Sequence, residues 1–463
     1  MGRQGCLKGV PNKLRILLVQ PAVLGPENVL WLSEPVALTS LAAMVSEHDV
    51  RILDLRLEPD TELNRTLAEF RPDIVGTWSM TTGCRQAKAV LKVAKSALGK
   101  DCFTIVGGDH PTVAPEDFDD EMIDAIVMGE GEIIFQEIVS HLAAGGSAQE
   151  LHHINGLLFR DDSGDFTVTP KRGQRNSLDD FPIPARHLIP ERYRKEYFFT
   201  FLSGMASMET SRGCSFDGTL CAIQELSERR THYMSASAIC DRLEQMTEKC
   251  VFFLDDNFLT NHLRLEELCD EIARRGIRKY YGAKGRSDFI ADNPELMRRL
   301  RDCGFIAVLS DYERGAPNTN VRAAQILGKL GIIAVGVFTT RADFEEKDFD
   351  LLYQTINEMK IALPLVTIQT PLAGTEPHLP TNLSRERFHQ KFAEWHRATR
   401  GSTIRGLLSV VWRRPDFFFF HALRQSIRFL RSKLHHFTVM ESNESHLSNE
   451  TCERQGIPCR AAH

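Results

Sequence analysis

Short apolar runs alternate with amphipathic segments along residues 14–145. The runs favour buried strands, whereas the segments between them repeat apolar residues every three or four positions and favour helices. This pattern predicts strands at 14–20, 49–55, 73–79, 103–108 and 124–128, and helices at 38–45, 63–70 and 86–98. Because strands that alternate with helices form βαβ units, we predict an α/β domain with a doubly wound, Rossmann-like parallel sheet.

The same alternation returns from residue 205 onward. It predicts strands at 206–210, 250–254, 279–284, 305–309, 332–338 and 365–369, and helices at 236–247, 263–275, 294–302, 321–330 and 346–359. Repeated units of this kind favour a partial (β/α)6 barrel of the TIM type. The active site of such a barrel would lie at the carboxyl ends of its strands.

The segment between the two halves has a different pattern. Apolar residues at 154–159 and 166–169 flank the turn sequence Asp-Asp-Ser-Gly, which predicts a hairpin. Residues 178–185 carry two prolines and little periodicity, which is typical of a semi-rigid linker.

The C-terminal part contains a basic amphipathic pattern at residues 402–437. Such a helix either lies in a membrane interface or packs on the barrel with its basic residues in water. The polar residues after 438 predict disorder. The predicted division is an N-terminal extension (1–13), a first domain (14–148), a linker with the hairpin (149–204), a barrel (205–380), a C-terminal helical region (381–437) and a disordered tail (438–463).

The composition narrows the class of protein. The 463 residues exceed what one ordinary core buries, which favours two large domains. A net charge of -6 disfavours a general nucleic-acid binder, since such proteins present basic surfaces. The polar start, the lack of a long apolar run and the 11 scattered cysteines favour a cytoplasmic protein without a signal peptide or membrane-spanning helix.

Glycine-rich loops follow the fourth and fifth predicted strands, at the edge where parallel sheets bind ligands. The candidate contacts there are Gly107, Gly108, Asp109, His110, Gly129 and Glu130. The glycines either allow a ligand to approach the backbone or simply form turns, and His110 is either a ligand or an ordinary loop residue. No G-x-G-x-x-G sequence follows the first strand, which disfavours a dinucleotide site.

Two closely spaced cysteines follow the first strand of the second half. Cys214 and Cys221 match the outer positions of a C-x3-C-x2-C pattern, but Gly218 occupies the middle position. Thiolates at these spacings can hold an iron–sulfur cluster, whereas glycine has no side chain that could bind iron. The two cysteines are therefore either part of a cluster site or a pair of buried thiols.

Together these features resemble the B12-binding-domain radical SAM superfamily, and most of all its hopanoid C-3 methylase-type methyltransferases. The resemblance rests on residues 107–110 and 129–132, on the Thr-Ser-Arg-Gly-Cys sequence ending at Cys214, and on the order of the strand ends that follow. It implies cobalamin near residues 107–112, without a protein histidine below the cobalt. It also implies a 4Fe–4S cluster and S-adenosyl-L-methionine (SAM) in the barrel.

The resemblance also assigns residues and partners. It implies that Cys214 and Cys221 are metal ligands, and it identifies no catalytic residue. The positions that match SAM contacts are Asp255, Asp256, Asn257, Arg286, Ser287, Glu313 and Thr370. Segment 255–257 is equally an ordinary turn and helix cap. The implied partners are a small-molecule or lipid substrate, an electron donor such as flavodoxin or ferredoxin, and a membrane surface in contact with residues 402–437.

The implied activity is methyl transfer to an unactivated carbon of a hopanoid or another lipid. Gly218 leaves three alternatives: the cluster is absent, another cysteine or a small ligand replaces the missing thiolate, or the glycine is a variant of an active parent. We therefore expect a cobalamin-dependent radical SAM methyltransferase-like protein. The alternative is a non-catalytic, cobalamin-binding homologue that lacks a complete cluster site.

Overall fold

The computed structural model describes residues 12–23, 31–59, 61–173, 177–199, 202–216, 226–312, 317–340, 344–359, 361, 363–368, 387 and 391. They form two α/β halves and the segment that joins them. The helix predicted at 402–437 and the tail predicted at 438–463 lie outside these residues, as does nearly all of the predicted N-terminal extension.

The first half is built on a seven-stranded sheet. Its strands and one short neighbour are β1 (Arg15–Gln20), β2 (Trp31–Leu32), β3 (Asp49–Asp54), β4 (Ile74–Trp78), β5 (Phe103–Gly107), β6 (Ala125–Val127), β7 (Leu157–Arg160) and β8 (Phe166–Val168). The order in the sheet is β3–β1–β4–β5–β6–β7–β8, with β2 outside it. The first five strands in this order pair in parallel, as predicted.

Helices cover both faces of this sheet. They are α1 (Val36–Met44), α2 (Thr61–Phe70), α3 (Cys84–Leu98), α4 (Asp109–Val113) and α5 (Gly131–Ala143). Ile16 and Leu18 pack with apolar residues of α1 and α5, whereas Leu17 and Val19 pack with those of α2 and α3. Because alternate residues of β1 face opposite helix layers, the doubly wound arrangement is confirmed.

The predicted hairpin forms, but it extends the first sheet instead of standing apart in the linker. Strand β7 pairs antiparallel with β6, so that Leu157 lies opposite Val127, and β8 pairs with β7. Leu157 and Phe159 are fully buried in the same core as β1. A turn sequence identifies a hairpin, but it does not say which outer strand the hairpin joins.

The second half contains a six-stranded parallel sheet and two small sheets. The strands are β9 (Phe198–Phe199), β10 (Leu202–Ser203), β11 (Met205–Met208), β12 (Ser211–Arg212), β13 (His232–Tyr233), β14 (Cys250–Phe253), β15 (Tyr280–Lys284), β16 (Phe305–Asp311), β17 (Ile333–Thr340) and β18 (Leu363–Ile368). The large sheet has the sequential order β11–β14–β15–β16–β17–β18. This is the strand order expected of six β/α units.

Helices pack on one face of the second sheet. They are α6 (Glu191–Arg194), which precedes the sheet, α7 (Ala236–Gln245), α8 (His262–Arg275), α9 (Ser287–Asp292), α10 (Pro294–Cys303), α11 (Pro317–Leu330) and α12 (Glu346–Met359). Val251 and Phe253 pack with apolar residues of these helices, while Cys250 and Phe252 belong to a separate core on the other face. The sheet is therefore buried on both sides, as its continuous apolar runs predict.

Two small antiparallel sheets accompany the large ones, and one of them ties the first half to the joining segment. One has the order β10–β9–β2, so a strand of the first half pairs with the joining segment. The other pairs β12 with β13. The ring of Trp31 in β2 also lies 5.1 Å from that of Phe252 in β14.

The predicted strands and helices are confirmed, with ends displaced by a few residues. Four helices lie where none was predicted: α4, α5, α6 and α9. Helix α4 replaces part of a predicted loop, and α9 is too short for a helical period to stand out. None of the helices within the described ranges combines the length and apolarity needed to cross a bilayer.

Candidate functional site

Gly108 fixes the loop after β5 against the end of β4. Its φ is +109°, and a Cβ at this position would lie 2.7 Å from the carbonyl oxygen of Ser79. The Thr112 hydroxyl donates to the Gly108 carbonyl at 2.8 Å, and the Gly129 N–H donates to that hydroxyl at 3.0 Å. The loops after β4, β5 and β6 therefore form one connected edge, and only glycine fits at residue 108.

Gly129 and Asp109 are the most open of the predicted contacts at this edge. A Cβ at Gly129 would meet nothing within 4 Å, so a ligand could approach the backbone there. Asp109 keeps much of its surface exposed, yet the surrounding protein withholds enough water that desolvation raises the pKa of its carboxyl group. Gly107, by contrast, ends β5, and a Cβ there would make ordinary contact with Val127 at 3.4 Å.

His110 is occupied by its own chain. The residue is 2% exposed, its Nε2 lies 2.9 Å from a carboxylate oxygen of Asp117, and its Nδ1 lies 3.2 Å from the Thr81 hydroxyl. Because both ring nitrogens have partners, the arrangement leaves no nitrogen for a metal. His110 therefore holds its own loop, and its contact with a cofactor stays a prediction.

Asp255 holds the strand that leads to Cys214. Its carboxylate accepts hydrogen bonds from the backbone N–H of Thr210, the Thr210 hydroxyl and the Ser211 hydroxyl, each at 2.6 Å. Arg264 lies 3.6 Å away, and the Asp255 side chain is fully buried. Asp255 therefore binds its own chain, so a role toward SAM would be indirect.

Asp256 connects the cysteine loop with the first half. Its carboxylate accepts a hydrogen bond from the backbone N–H of Gly213, the residue before Cys214. Burial raises the pKa of Asp256, the positive charge of Lys284 lowers it, and the negative charge of Asp109 raises it further. The last effect indicates that the Asp109 loop of the first half and the Asp256 loop of the second half lie within electrostatic reach of each other.

Arg286 lies beside the cysteine loop at the end of β15. Its guanidinium carbon lies 3.2 Å from the centroid of the Phe216 ring, and it forms an ion pair with Asp288 at 3.0 Å. Cys214 itself is a free, half-buried thiol between the residues that Asp256 and Arg286 hold. The structure thus gathers Cys214, Asp256 and Arg286 at the same end of the second sheet.

Asn257 and Ser287 are buried beside these residues. The Ser287 hydroxyl donates to Asn320 at 2.8 Å, which fixes the start of α9 against α11. The Asn257 side-chain oxygen is buried, and within the described ranges it accepts no hydrogen bond. A buried acceptor of this kind marks a place where a ligand donor would be stabilised.

Several predicted site residues lie outside the described residues: Gly218, Cys221, Glu313 and Thr370. Within the described part of the chain, no three His, Cys, Asp or Glu side chains lie close enough together to hold a metal ion. Cys214 is thus the one predicted cluster ligand whose surroundings the structure describes.

Sequence reasoning missed Arg212, which joins the two halves. Its guanidinium donates to Glu132 at 3.1 Å and to Glu209 at 2.8 Å, and it lies 3.6 Å from Glu130. Glu130 and Glu132 flank the start of α5 in the first half, whereas Arg212 lies two residues before Cys214. Both segments stood out as motifs, but nothing in the sequence indicated that they meet.

A second ion-pair group was also missed. Arg186 of the joining segment contacts Glu34 at 2.7 Å and Glu248 at 3.1 Å. Glu34 accepts a hydrogen bond from the backbone N–H of Ser207 in β11 at 2.9 Å. Burial raises the pKa of Glu34, and the hydrogen bond and positive charge of Arg186 offset only part of this desolvation effect.

Comparison with known proteins agrees with this geometry. A family model of the B12 binding domain matches residues 28–139, which span strand β2 to helix α5. Hopanoid C-3 methylase of Methylococcus capsulatus is 28% identical over 381 residues, which cover 78% of this chain and 72% of that protein. An uncharacterized methyltransferase of Pyrococcus horikoshii is 28% identical over 364 residues, or 74% of this chain and 77% of that protein.

A more distant relative is the anaerobic magnesium-protoporphyrin IX monomethyl ester cyclase of Rubrivivax gelatinosus. It is 25% identical over 297 residues, or 60% of this chain and 53% of that protein. The carboxyl transferase domain of Rhizobium etli pyruvate carboxylase aligns with 90% of the chain at 12% identity and a TM-score of 0.21, and at that score the likeness bears on neither fold nor function.

Residues 28–139 of the first half therefore form a B12-binding domain. The chain is homologous over most of its length to hopanoid C-3 methylase and related methyltransferases. The family resemblance predicted from the sequence is confirmed to this extent.

Proposed function

We propose that this protein is a cobalamin-dependent radical SAM methyltransferase that acts on an unactivated carbon. The observation that carries the proposal is the electrostatic interaction between Asp109 and Asp256, which supports an approach of the strand-end loops of the first half to the cysteine loop of the second half. A methyl carrier and a radical source must share one cavity to act on one substrate carbon. The named methyltransferases among its relatives support the same reading.

The chain's residues fit cobalamin at the first edge. Gly129 leaves open space against the backbone, and the contact between Gly108 and Ser79 keeps this edge rigid. Asp109 offers a carboxylate without a hydrogen-bond partner among the described residues, suited to an amide or hydroxyl donor of the ligand. When bound, cobalamin would supply the methyl group, and the cluster with SAM would supply the radical chemistry.

The second edge is suited to hold the cationic and anionic groups of SAM. Asp256 and Lys284 place a carboxylate and an ammonium near each other beside the loop, and Arg286 adds a guanidinium. Asp256 also orients the backbone before Cys214 through the Gly213 N–H. These groups bind and orient, and they keep water from the buried end of the sheet; none is assigned a proton transfer.

The substrate is proposed to be a lipid, with a hopanoid as the leading class. This rests on the similarity to hopanoid C-3 methylase, and on the basic amphipathic sequence at 402–437, which would bring the cleft to a membrane surface. Turnover would also require a reducing partner such as flavodoxin or ferredoxin.

A second candidate function is favoured by Gly218. A cobalamin-binding protein without a working cluster would keep the whole first half and lose one of three thiolates in the second. Its cleft would present cobalamin without generating a radical.

Anaerobic reconstitution with iron, sulfide and cobalamin separates the two functions. The enzyme should bind four irons per chain and form 5′-deoxyadenosine from SAM, whereas the binding protein should show cobalamin absorbance without either. The Gly218→Cys variant supplies the missing thiolate, and we expect it to raise iron content if the rest of the site is intact. Absence of cobalamin binding in both proteins would refute both functions.

A further inference from the structure

A cavity of about 290 Å³ lies where the two halves and the joining segment meet. Its walls come from α1, from residues 178–187, from the end of β11 and from α7. Pro182, His187 and Thr247 are exposed at its rim, which gives a small molecule a path of entry. The volume is near the lower end of small-molecule sites, about 300 Å³, and is far too small for a corrin.

The walls are largely apolar. The side chains that form them include those of Val36, Met44, Leu178, Phe181, Met208, Met234 and Met246. Methionine side chains adapt to the shape of different apolar groups, and such walls favour a ligand with a hydrocarbon body.

Ionisable side chains also line the cavity, among them Arg186, Arg194, Arg212, Arg242, Glu132 and Glu209. Arg186 and Arg212 form ion pairs with the carboxylates described above. Within the described part of the chain, Arg194 and Arg242 are the lining arginines that form no such pair.

Arg194 and Arg242 form no close ion pair with any carboxylate of the described residues. Arg242 is 6% exposed and donates only to the carbonyl oxygens of Ala238 and Phe181, at 3.1 and 2.8 Å. Arg194 donates to the carbonyl of Arg186 at 2.8 Å, and its Nε is buried without an acceptor. Across the described part of the chain, no carboxylate lies within ion-pair distance of either guanidinium.

Burial of an unpaired guanidinium is costly, and an anion would offset that cost. Desolvation lowers the pKa of Arg242, and the negative charges of Asp179 and Asp241 offset only part of this effect. Both guanidiniums hold carbonyls of the same connector, at Phe181 and at Arg186. A carboxylate beneath this stretch could accept from both while its hydrocarbon body contacted the methionines.

We propose that this cavity binds a small amphiphilic carboxylate, an anionic head on a short hydrocarbon body. The head pairs with Arg194 and Arg242, and the body fills the space between α1 and α7. None of the predicted cobalamin or SAM contacts lines this cavity, so this proposal does not depend on the methyltransferase activity. Binding there would fix the joining segment against both halves.

Isothermal titration of the full-length protein with octanoate tests the proposal without any cofactor. We expect saturable binding of one octanoate per chain, and no saturable binding of acetate, octanol or octylamine. Arg194→Met and Arg242→Met keep most of the side-chain volume and remove the charge, so each should weaken octanoate binding at least tenfold. Arg298→Met, at an exposed position outside the cavity, should leave the affinity unchanged.

A third variant keeps the test informative if the arginine variants misfold. Ser40→Phe fills the cavity from α1 without altering either guanidinium, and it should abolish octanoate binding while the circular dichroism spectrum stays native. The proposal is overturned if octanoate fails to saturate, if octylamine or octanol binds as tightly, or if natively folded arginine variants bind octanoate like the unaltered protein. A missing cluster or inactive enzyme would not affect any of these results.

Discussion

Single residues carry much of the geometry at the edge of the B12-binding domain. Gly108 and Gly129 both have positive φ, +109° and +90°, but only Gly108 has backbone atoms where a Cβ would lie. The two positions therefore separate the cost of backbone strain from the cost of a steric clash.

Gly108→Ala should destabilise the protein more than Gly129→Ala. Strain alone costs about 1–2 kcal/mol at a left-handed position, which is the loss expected for Gly129→Ala. Gly108→Ala adds the approach to the Ser79 carbonyl at 2.7 Å, so the loops after β4 and β5 must separate. Urea unfolding followed by circular dichroism measures the free energy of unfolding of each variant. Equal losses in the two variants would show that the loops after β4 and β5 are not held together by this contact.

The carboxyl groups of Asp109 and Asp256 have pKa values raised mainly by burial, which makes stability depend on pH. A carboxyl group whose pKa is raised by folding binds its proton more tightly in the folded protein, so stability is lost as pH rises from its ordinary value of 3.8 through the raised pKa. Asp256→Asn removes this loss. We expect the variant to melt at a higher temperature than the unaltered protein at pH 8, and at the same temperature as pH falls toward 3.8.

Asp292→Asn, at an exposed position of the same half, is the matched control and should change little at either pH. A gain of equal size at every pH would contradict the electrostatic explanation. Such a gain would also show that the negative charge of Asp256 does not destabilise the ligand-free protein.

At the scale of elements, helices α8 and α10 meet through two thiols. Cys303 lies at the end of α10, and its Sγ lies 3.7 Å from the carbonyl oxygen of Cys269 in α8. A hydrogen bond between the two thiols lowers the pKa of Cys303 and raises that of Cys269. Cys84, also half-buried, has a pKa raised by burial.

Cys303 should therefore react with iodoacetamide faster than Cys84. We expect a several-fold difference at pH 7.5, because the thiolate is the reacting species and each unit of pKa is a tenfold change in its amount below the pKa. Cys269→Ala removes the hydrogen-bond donor and should slow the reaction of Cys303. Peptide mass spectrometry after timed alkylation measures the reaction rate of each cysteine. Equal rates at Cys84 and Cys303 would contradict the lowered pKa of Cys303.

Elements with a strong period could be predicted from the sequence, and contacts between distant elements could not. Buried strands such as β1 and β14 carry continuous apolar runs, so their existence and parallel pairing followed from pattern alone. The hairpin was predicted, but its pairing with β6 depends on which sheet edge is free. Arg212 and Glu132 lie 80 positions apart, and no periodicity relates them.

The same distinction applies to the site. Cys214, Asp256 and Arg286 were predicted at strand ends and lie together there, because parallel strands end at a common edge. His110 and Asp255 have local hydrogen bonds that composition could not reveal. A polar residue at a strand end is equally suited to hold its own loop or to hold a ligand.

At the scale of the whole molecule, Arg212 links the B12-binding domain to the cysteine loop. One guanidinium lies among three carboxylates, and the attraction of Glu209 and Glu132 raises its pKa despite burial. Removing this cation leaves the carboxylates to repel one another across the junction.

Arg212→Met should loosen the junction between the halves without unfolding either core. We expect amide hydrogen exchange at residues 129–132 and 209–213 to accelerate roughly tenfold or more, since breaking a buried ion pair costs about 3 kcal/mol or more. Arg212→Lys should be intermediate, because an ammonium cannot match the planar, multiple contacts of a guanidinium. Exchange in β1 should stay unchanged, and uniform acceleration would indicate general destabilisation instead.

The hydrogen bond from the backbone N–H of Ser207 to Glu34 also protects the molecule against self-association through a sheet edge. Strand β11 ends the order of the second sheet, and its outer side would otherwise offer unpaired backbone groups to any passing strand. A carboxylate from the first half occupies one of these groups at 2.9 Å. The B12-binding domain thus shields its neighbour from edge-to-edge aggregation. The second half by itself would expose this strand edge to pairing with other chains.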